Sequence, residues 1–268
     1  MIASNHQKYD HFLVVDEVHS TNDLLRSLVD AKQVDFPMGY VVSAQYQTAG
    51  RGQIGNSWVS EKGKNLLFSI LLYPQIEIKE QFLISKIVSL SVVSILKEWL
   101  PQEAANFSIK WPNDIYYNHK KIAGILIENL LLGDEIQNSI VGIGLNVEQI
   151  DFPSNLPNPV SLRQINDQLS YDKDLMIEQI RDKVVFLLQH SDELFFRNQL
   201  NTAYLSVLYK IHEYSFFSDK SGVFRAQITD VLPDGRLMLE TEDGEHRFYY
   251  FKEVSFLPHC AEDENLSL

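Results

Sequence analysis

The feature that most constrains the fold is a glycine-rich loop that follows a short apolar run, Tyr40-Val41-Val42. The loop reads Gln47-Thr48-Ala49-Gly50-Arg51-Gly52-Gln53-Ile54-Gly55-Asn56-Ser57-Trp58. Glycines allow the backbone to come close to a ligand, and successive N–H groups in such a loop form a cradle for an anion. Arg51 adds a planar, permanently charged group suited to carboxylate or phosphate. The loop therefore predicts a site at the end of a strand for a ligand that carries phosphate or carboxylate.

The three glycines Gly50, Gly52 and Gly55 also satisfy the G-x-G-x-x-G pattern of dinucleotide-binding sites. That pattern requires a helix directly after the glycines and an acidic residue about 20 residues further on. The segment after Gly55 is a poor start for a helix, and the position about 20 residues on falls near Pro74, in a turn. A dinucleotide-binding site is therefore disfavoured. An ordinary glycine-rich surface loop stays open as the alternative.

Length, composition and charge exclude several classes of protein. A chain of 268 residues that is 45% hydrophobic suits one large domain with a smaller one. The single cysteine, Cys260, excludes a disulfide framework, and the polar segment Met1 to Lys8 lacks the apolar region of a secretory signal. No apolar run is long enough to cross a bilayer, and the net charge of −13 argues against nucleic-acid and anionic membrane surfaces. We therefore expect a soluble cytoplasmic protein with no DNA or membrane partner.

The charge is unevenly distributed along the chain. Acidic residues crowd the C-terminal third and the tail after Pro258. Two short stretches, Phe107 to Gly124 and Arg51 to Lys64, instead carry more basic than acidic residues. Two basic stretches in an acidic chain suggest one site for an anionic ligand, although any single lysine is more often a solvated surface residue.

The spacing of apolar residues predicts a mixed order of helices and strands before residue 210. A helix begins at the Ser20-Thr21-Asn22-Asp23 cap, and a long amphipathic helix is predicted from Gln81 to Leu100, where Pro101 ends it. A second long helix is predicted from Asp172 to Asn198, with one apolar face formed by Leu175, Ile180, Val184, Leu187 and Leu194. Strands are predicted over Phe12 to Val15, Leu66 to Tyr73, Phe107 to Lys110, Lys121 to Asn129 and Gln137 to Leu145.

The pattern changes after about Tyr209, where short β-type runs begin. They are separated by Asp234-Gly235 and Asp243-Gly244, dipeptides typical of tight hairpins. The runs are Phe224 to Val231, Arg236 to Thr241 and Arg247 to Phe251. Such spacing predicts a small β-barrel attached to the main domain. The expected domains are therefore residues 1–210 and residues 211–268, the second with the acidic tail.

Two further segments complete a set of four motifs. Lys110-Trp111-Pro112-Asn113-Asp114 leads into a hairpin that turns at Asn118-His119 and continues from Lys120 to Glu128. The run Ile140 to Val147 contains two glycines inside a strand, where glycine indicates close approach of a ligand or of another backbone. With the Ser20 cap and the glycine-rich loop, these segments resemble the biotin protein ligases, also called biotin–[acetyl-CoA-carboxylase] ligases or holocarboxylase synthetases.

The resemblance implies an α+β fold and a two-step reaction. The fold is a class II aminoacyl-tRNA synthetase-like catalytic domain of the biotin/lipoate ligase type, followed by a small C-terminal SH3-like β-barrel. Biotin and ATP would be substrates and Mg²⁺ an activator, with no tightly bound cofactor. The first step would form biotinyl-5′-AMP, and the second would transfer biotin to a lysine in the carrier domain of acetyl-CoA carboxylase or a related carboxylase. Cations are expected to supply most of the catalysis, because charge develops on phosphoryl and acyl oxygens.

The resemblance also implies roles for individual residues. Lys121 and Arg51 would be the catalytic residues, and Asp114 a ligand of Mg²⁺. Biotin would be bound by Ser20, Thr21, Asn22, Gln47, Arg51, Gly52, Gln53, Lys121 and Gly124. The ATP and adenylate site would be formed by Arg51, Trp58, Lys110 and Asn146. Plainer readings stay open for some of them: helix capping for Ser20, a core tryptophan for Trp58 and a structural turn for Asp114.

The chain departs from the family pattern in the glycine-rich loop. Many members have Gly-Arg-Gly-Arg-x-Gly-Arg, whereas Gln53 and Asn56 stand at the second and third arginine positions here. Tight retention of biotinyl-AMP is therefore in doubt. Because the first motif begins at Ser20, we expect the short form without an N-terminal DNA-binding domain. A lipoate–protein ligase-like acyl transfer and a non-catalytic biotin-sensing protein stay as alternatives, and the oligomeric state, including a homodimer, is open.

Overall fold

The computed structural model describes residues 8–9, 11–31, 35–53 and 55–257, and contains a main sheet and a smaller second sheet. The strands of the main sheet are β1 (Lys8–Tyr9), β2 (Phe12–Val18), β3 (Val41–Gln47), β4 (Leu66–Leu72), β5 (Phe107–Lys110), β6 (Asp114–Tyr117), β7 (Lys120–Leu132) and β8 (Glu135–Leu145). The helices are α1 (Thr21–Asp30), α2 (Phe82–Trp99), α3 (Leu162–Ile165), α4 (Lys173–Gln189) and α5 (Leu194–Ser206), with 3₁₀ turns at Ile78–Glu80 and Pro101–Asn106. The second sheet contains β9 (Ser215–Asp219), β10 (Gly222–Val231), β11 (Leu237–Thr241), β12 (His246–Tyr249) and β13 (Ser255–Phe256).

The order of the main sheet brings distant parts of the chain together. Its eight strands run in the order β1-β2-β3-β4-β8-β7-β6-β5. Only β2 and β3 are parallel among the pairings of the described strands. A parallel pair needs a crossover, and α1 supplies it. The N-terminus of α1 therefore lies beside the C-terminal end of β3, where the glycine-rich loop begins.

The α+β expectation is confirmed, and most predicted elements are present with small differences at their ends. The hairpin between β6 and β7 turns at Asn118-His119 as expected, and Asn118 adopts a positive φ of 51°. No helix follows the glycines of the loop in the described residues, so the helix that the dinucleotide-binding pattern requires is not formed there. The hairpin turns of the second sheet lie at Asp234-Gly235 and Asp243-Gly244, where both glycines have positive φ.

The prediction of one helix from Asp172 to Asn198 is wrong. The chain forms α4 and α5, separated by a turn at residues 190–193. Ser191 is buried in this turn, and its Oγ donates to the carbonyl of Leu188 while its own carbonyl accepts from Arg197 Nε. The predicted apolar face is also wrong at its ends, because Leu175 is 42% exposed and Leu194 is 75% exposed.

The second sheet is attached to the main domain through buried contacts. The indole Nε1 of Trp111 donates to the carbonyl of Gly235 at 2.9 Å. The ammonium of Lys86, buried in α2, donates to the carbonyl of Val231 at 2.9 Å and to Asn201 Oδ1 at 2.6 Å. Burial lowers the pKa of Lys86 to about 8, against the opposing effect of Asp230. One cluster of buried apolar side chains continues through both sheets.

Some expectations fall on residues that the structure does not describe. Cys260 and the acidic tail after Pro258 lie outside the described residues, as does most of Met1 to Lys8. Within the described ranges, no helix has both the length and the apolar character needed to cross a bilayer. The division at residue 210 stays a prediction.

Candidate active site

A cavity of about 400 Å³ lies where the first turn of α1, strands β7 and β8 and the glycine-rich loop meet. All but one of the predicted site residues line it: Ser20, Thr21, Asn22, Gln47, Arg51, Gly52, Gln53, Trp58, Lys110, Asp114, Lys121 and Gly124. The exception, Asn146, lines an adjoining cavity of about 890 Å³, which shares Trp58, Lys110, Asp114 and Lys121 with the first. The sequence motifs therefore meet in one place.

The end of the cavity at α1 is neutral and polar. Ser20 caps α1 by accepting from the N–H of Asp23 at 3.4 Å. Gln47 Oε1 accepts from the N–H of Thr21 at 2.7 Å and from its hydroxyl at 3.1 Å. Ser69 Oγ lies 2.7 Å from Thr21 Oγ1 and 2.6 Å from Asn22 Oδ1, and all three side chains are buried. These bonds hold the predicted biotin-ring residues in fixed orientations.

Ser69 was not predicted as part of this network. It is fully buried on β4, in the run Leu66-Leu67-Phe68-Ser69-Ile70-Leu71-Leu72. A lone serine in an otherwise apolar, fully buried strand is the signal that could have found it, because a buried hydroxyl needs a hydrogen-bond partner.

Three glycines form the floor of the cavity. Gly124 on β7 is paired with Gly144 on β8. A Cβ on Gly144 would lie 2.4 Å from Cε2 of Trp58, and one on Gly124 would lie 3.0 Å from Cζ3 of the same ring. A Cβ on Gly142 would lie 2.4 Å from Asn22 Oδ1. The strand glycines are therefore required for close approach, as the sequence predicted, and in this structure the approaching groups are Trp58 and Asn22.

Lys121 lies in the cavity wall with a fixed backbone and a paired side chain. Its N–H donates to the carbonyl of Asn158 at 2.8 Å, and its carbonyl accepts from the N–H of Val160 at 3.0 Å. Its Nζ lies 2.6 Å from Asp114 Oδ1 and 5.7 Å from the centroid of the Trp58 ring. The neighbouring Lys120 is exposed and lines neither cavity. The ammonium of Lys121 is therefore held at the junction of the two cavities.

Lys110 lies half-buried at the same junction. Its Nζ donates to the hydroxyl of Tyr116 at 3.0 Å and lies 4.9 Å and 5.1 Å from the ring centroids of Tyr116 and Phe256. Burial lowers the pKa of Lys110, and the charge of Asp114 opposes this shift. A cation in such surroundings is only partly hydrated, so its attraction for a bound anion is strong.

The guanidinium of Arg51 is paired with carboxylates of the chain itself. It donates to Glu128 at 3.1 Å and 2.8 Å and to Asp23 Oδ1 at 2.6 Å. Glu128 Oε2 also accepts from Asn22 Nδ2 at 2.7 Å. Burial acts to raise the pKa of Glu128, but the bonds from Asn22 and Arg51 outweigh it, so the pKa is lowered. Arg51 therefore links the glycine-rich loop to α1 and β7, and a role in binding substrate stays a prediction.

Glu128 was not predicted as a site residue, although the sequence contains its signal. It is the one acid in the β7 segment from Lys120 to Glu128, where the neighbouring side chains are mostly apolar. Its side chain is 24% exposed, and its carboxylate is bonded to residues of two separate motifs. The sequence gives no means of pairing it with Arg51, because the two lie 77 positions apart.

Another wall of the cavity comes from the second sheet and its turns. Phe251, Lys252, Val254, Ser255 and Phe256 line the cavity together with Gln53 and Asn56 of the loop. From the sequence, this part of the chain was expected only as a separate small barrel. The cavity is thus built from both parts of the chain.

The described residues do not form a ready cage for a divalent metal. None of them makes a group of three or more His, Cys, Asp and Glu side chains placed to hold an ion. Asp114 is the sole acidic side chain that lines either cavity within the described part of the chain, and it is paired with Lys121. A single carboxylate suits Mg²⁺ that arrives on substrate phosphates rather than a resident metal.

Comparisons with known proteins agree with the fold and with the family resemblance. The model of the biotin/lipoate A/B protein ligase family matches residues 14–146, the segment that holds every predicted site residue. The bifunctional ligase/repressor BirA of Bacillus spizizenii is 28% identical over 248 residues, which cover 89% of this chain and 72% of that protein. The biotin–[acetyl-CoA-carboxylase] ligase of Paracoccus denitrificans is 38% identical over 106 residues, 40% of this chain and 43% of that protein.

A solved structure extends the similarity to the second sheet. The biotin protein ligase of Aquifex aeolicus, in complex with biotin and ATP, superposes with a TM-score of 0.72 at 27% identity. The match covers 93% of this chain and 99% of that one. It therefore includes the small C-terminal sheet as well as the main domain. From the motifs, the fold and these similarities together, the chain belongs to the biotin/lipoate A/B protein ligase family.

Proposed function

We propose that the protein is an ATP-dependent biotin protein ligase. It activates biotin to biotinyl-5′-AMP and transfers the biotin to a lysine of the carrier domain of a biotin-dependent carboxylase. The ligases of Paracoccus denitrificans and Aquifex aeolicus support this assignment through their similarity. The lipoate branch of the family and a non-catalytic biotin-sensing protein are the competing functions.

The observation that carries the proposal is the division of one cavity into a neutral end and a cationic end. The neutral end has the fixed polar groups of Thr21, Asn22 and Gln47, which suit a ureido ring. The cationic end has Lys110 and Lys121, which suit a carboxylate and a phosphate. Biotin has a ureido ring at one end and a carboxylate at the other, and the cavity volume lies in the usual range of about 300–1,000 Å³ for small ligands.

The proposed reaction has two steps. A carboxylate oxygen of biotin attacks the α-phosphorus of ATP, and the bond to the bridging oxygen breaks, so pyrophosphate leaves. The lysine amine of the carrier then attacks the acyl carbon, the amide loses a proton, and AMP leaves. Adenylation is needed because a carboxylate is a poor acyl donor.

The residues of the chain act mainly by placing charge. Lys121 lies where the two cavities join, so its ammonium can lie between the carboxylate and the α-phosphate, which otherwise repel each other. Asn146 and Trp58 would contact the adenylate from the second cavity. Asp114 would supply one carboxylate to Mg²⁺ bound with the triphosphate once Lys121 turns to the substrate, and the metal would supply neutralisation of part of the phosphate charge.

A transfer assay tests the proposal directly. Purified protein is mixed with labelled biotin, ATP, Mg²⁺ and an unbiotinylated carrier domain, and the label on the carrier is counted. A matched reaction contains labelled lipoate and a lipoyl domain. We expect label on the biotin carrier only. Transfer of lipoate alone would assign the lipoate activity, and biotin binding without transfer would assign a sensing role.

We also propose that the protein does not bind duplex DNA specifically, because its net charge is −13. Nanomolar binding that depends on DNA sequence at physiological salt would contradict this. A homodimer stays a prediction, for which light scattering of the purified protein is the measurement.

A further inference from the structure

The turn between β12 and β13 brings a lysine of the second sheet against the glycine-rich loop. Lys252 lines the cavity that holds Lys121 and Arg51. A Cβ placed on Gly55 would lie 3.7 Å from Lys252 Nζ. The ammonium therefore lies close to the backbone of the loop.

The position of this turn is fixed by contacts with the main domain. The ring of Phe251 packs against Trp111 at a centroid distance of 6.3 Å, and Trp111 donates to the carbonyl of Gly235. Within the turn, the N–H of Tyr250 donates to Glu253 Oε2 at 2.7 Å, and the N–H of Glu253 donates to the carbonyl of Tyr250 at 3.1 Å. Lys252 is thus at the tip of an anchored turn.

The backbone at Lys252 is unfavourable for a lysine. Its φ is 71°, in the left-handed region that glycine and asparagine adopt more readily. A strained position that carries a cationic side chain at the edge of a cavity is a candidate for function, because such backbone strain clusters at ligand-binding sites.

The charges around the loop explain what the lysine would do. Gln53 and Asn56 line the cavity as neutral side chains, and the guanidinium of Arg51 is paired with Glu128 and Asp23. The proposed reaction nevertheless brings a carboxylate and a triphosphate into this space. The loop itself therefore offers little positive charge to the activated intermediate.

We propose that Lys252 supplies this charge, by binding the phosphate of biotinyl-5′-AMP when the glycine-rich loop covers it. This inference rests on the proposed function. The second sheet then contributes a substrate-binding cation as well as a wall of the cavity. An ammonium suits this role because it can donate to a phosphate oxygen from several directions.

The test uses Lys252→Gly in the full chain, because this change removes the charge and relieves the backbone strain together. We expect the variant to stay folded, which its unfolding temperature checks, because glycine adopts the positive φ at this position without strain. The release of labelled biotinyl-AMP should become about ten- to hundredfold faster, the usual effect of losing one charge-assisted hydrogen bond. Lys252→Arg should retain the slow release, and Lys252→Met, which keeps the length of the stem, should release quickly.

The matched control is Lys220→Ala, which removes an exposed lysine from the turn between β9 and β10 of the same sheet. Its release rate should be unchanged. A folded Lys252→Gly protein that releases the adenylate within twofold of the unaltered rate would overturn the inference, as would fast release from the control. Absence of biotin-dependent ATP–pyrophosphate exchange in the unaltered protein would instead refute the proposed function, and the role of Lys252 with it.

Discussion

The ammonium of Lys121 and the carboxylate of Asp114 form an ion pair, with Nζ 2.6 Å from Oδ1. The two residues lie on the adjacent strands β7 and β6, at the junction of the two cavities. The pair holds the lysine side chain in place before a substrate binds. Substrate oxygens must then replace Asp114 as its partner, which costs little because both side chains are partly exposed.

Lys121→Ala is expected to abolish most adenylate formation while the fold survives. Loss of one preorganised charge at a reacting centre typically lowers the rate by about 10²–10³. Biotin-dependent ATP–pyrophosphate exchange measures this step without the carrier. Lys121→Arg should also be poor, because a planar guanidinium does not replace a compact ammonium in the same space.

Lys120→Ala is the matched control for this prediction. Its side chain is exposed and lines neither cavity, so exchange should stay close to the unaltered rate. A critical Lys120 with a dispensable Lys121 would show that the motif is assigned one residue out of register. If both proved dispensable, the assigned site would be wrong.

Gly144→Ala is expected to displace the indole of Trp58. The added methyl would lie 2.4 Å from Cε2, a distance that neither the strand nor the ring can accept without moving. We expect a higher KM for ATP and a change in tryptophan fluorescence. Combining it with Trp58→Ala removes the steric conflict, so the melting temperature should recover relative to Gly144→Ala alone. No recovery would show that Gly144 is needed for another reason.

Glu128→Gln is expected to loosen the glycine-rich loop. The change removes the charge that Arg51 binds, although the exposure of both side chains limits the loss of stability to about 1 kcal/mol. The KM for biotin should rise more than kcat falls, because Glu128 acts through Arg51 and Asn22. The exposed Glu178→Gln on α4 should change neither value. Equal values for Glu128→Gln and the unaltered protein would exclude a positioning role.

The stability from Glu128 should depend on pH with a defined sign. Its pKa is lowered from 4.5 in the folded protein, so the folded state favours the charged carboxylate. The contribution of Glu128 to folding stability is fully present above the ordinary pKa of the carboxyl group. It is lost as the pH falls through the lowered pKa of the folded state. Urea unfolding of the unaltered protein and of Glu128→Gln should therefore differ at pH 7 and converge in acid. If the difference in unfolding free energy persisted in acid, the effect of Glu128→Gln would come from the shape of the side chain and not from its charge.

Gln53→Arg is expected to slow the release of biotinyl-AMP. The change returns a charge to the loop at a position that lines the cavity. Gln53→Ala is the control for loss of the glutamine and should not slow the release. An arginine variant with the original rate would show that retention depends on other residues, such as Arg51 or the second sheet.

Much of the site was predictable because its motifs are local. The cap at Ser20, the hairpin from Lys110 to Glu128 and the strand glycines each combine residue types that short-range rules recognise. Their order along the chain then indicated a shared cavity. The structure places all but Asn146 of the predicted residues in one cavity, with Asn146 in the adjoining one.

The features that the sequence did not predict depend on contacts between distant parts of the chain. The break between α4 and α5 contains no glycine or proline that would mark it in the sequence. Ser191 stabilises this turn through hydrogen bonds that a local pattern does not show. The pairing of Arg51 with Glu128 and the position of Lys252 follow from how the sheets pack. Such pairings arise only once the tertiary fold exists.

The apolar core that runs through both sheets limits how segments of this protein can be exchanged with those of its homologues. Phe217 and Ile228 of the second sheet belong to the same buried cluster as Ile109 and Phe82 of the main domain. A fragment that ends at residue 210 would leave one side of that cluster in water. The barrel therefore cannot be exchanged between homologues as an independent module. Recombination would succeed only if the crossover keeps both sides of the contact from one parent.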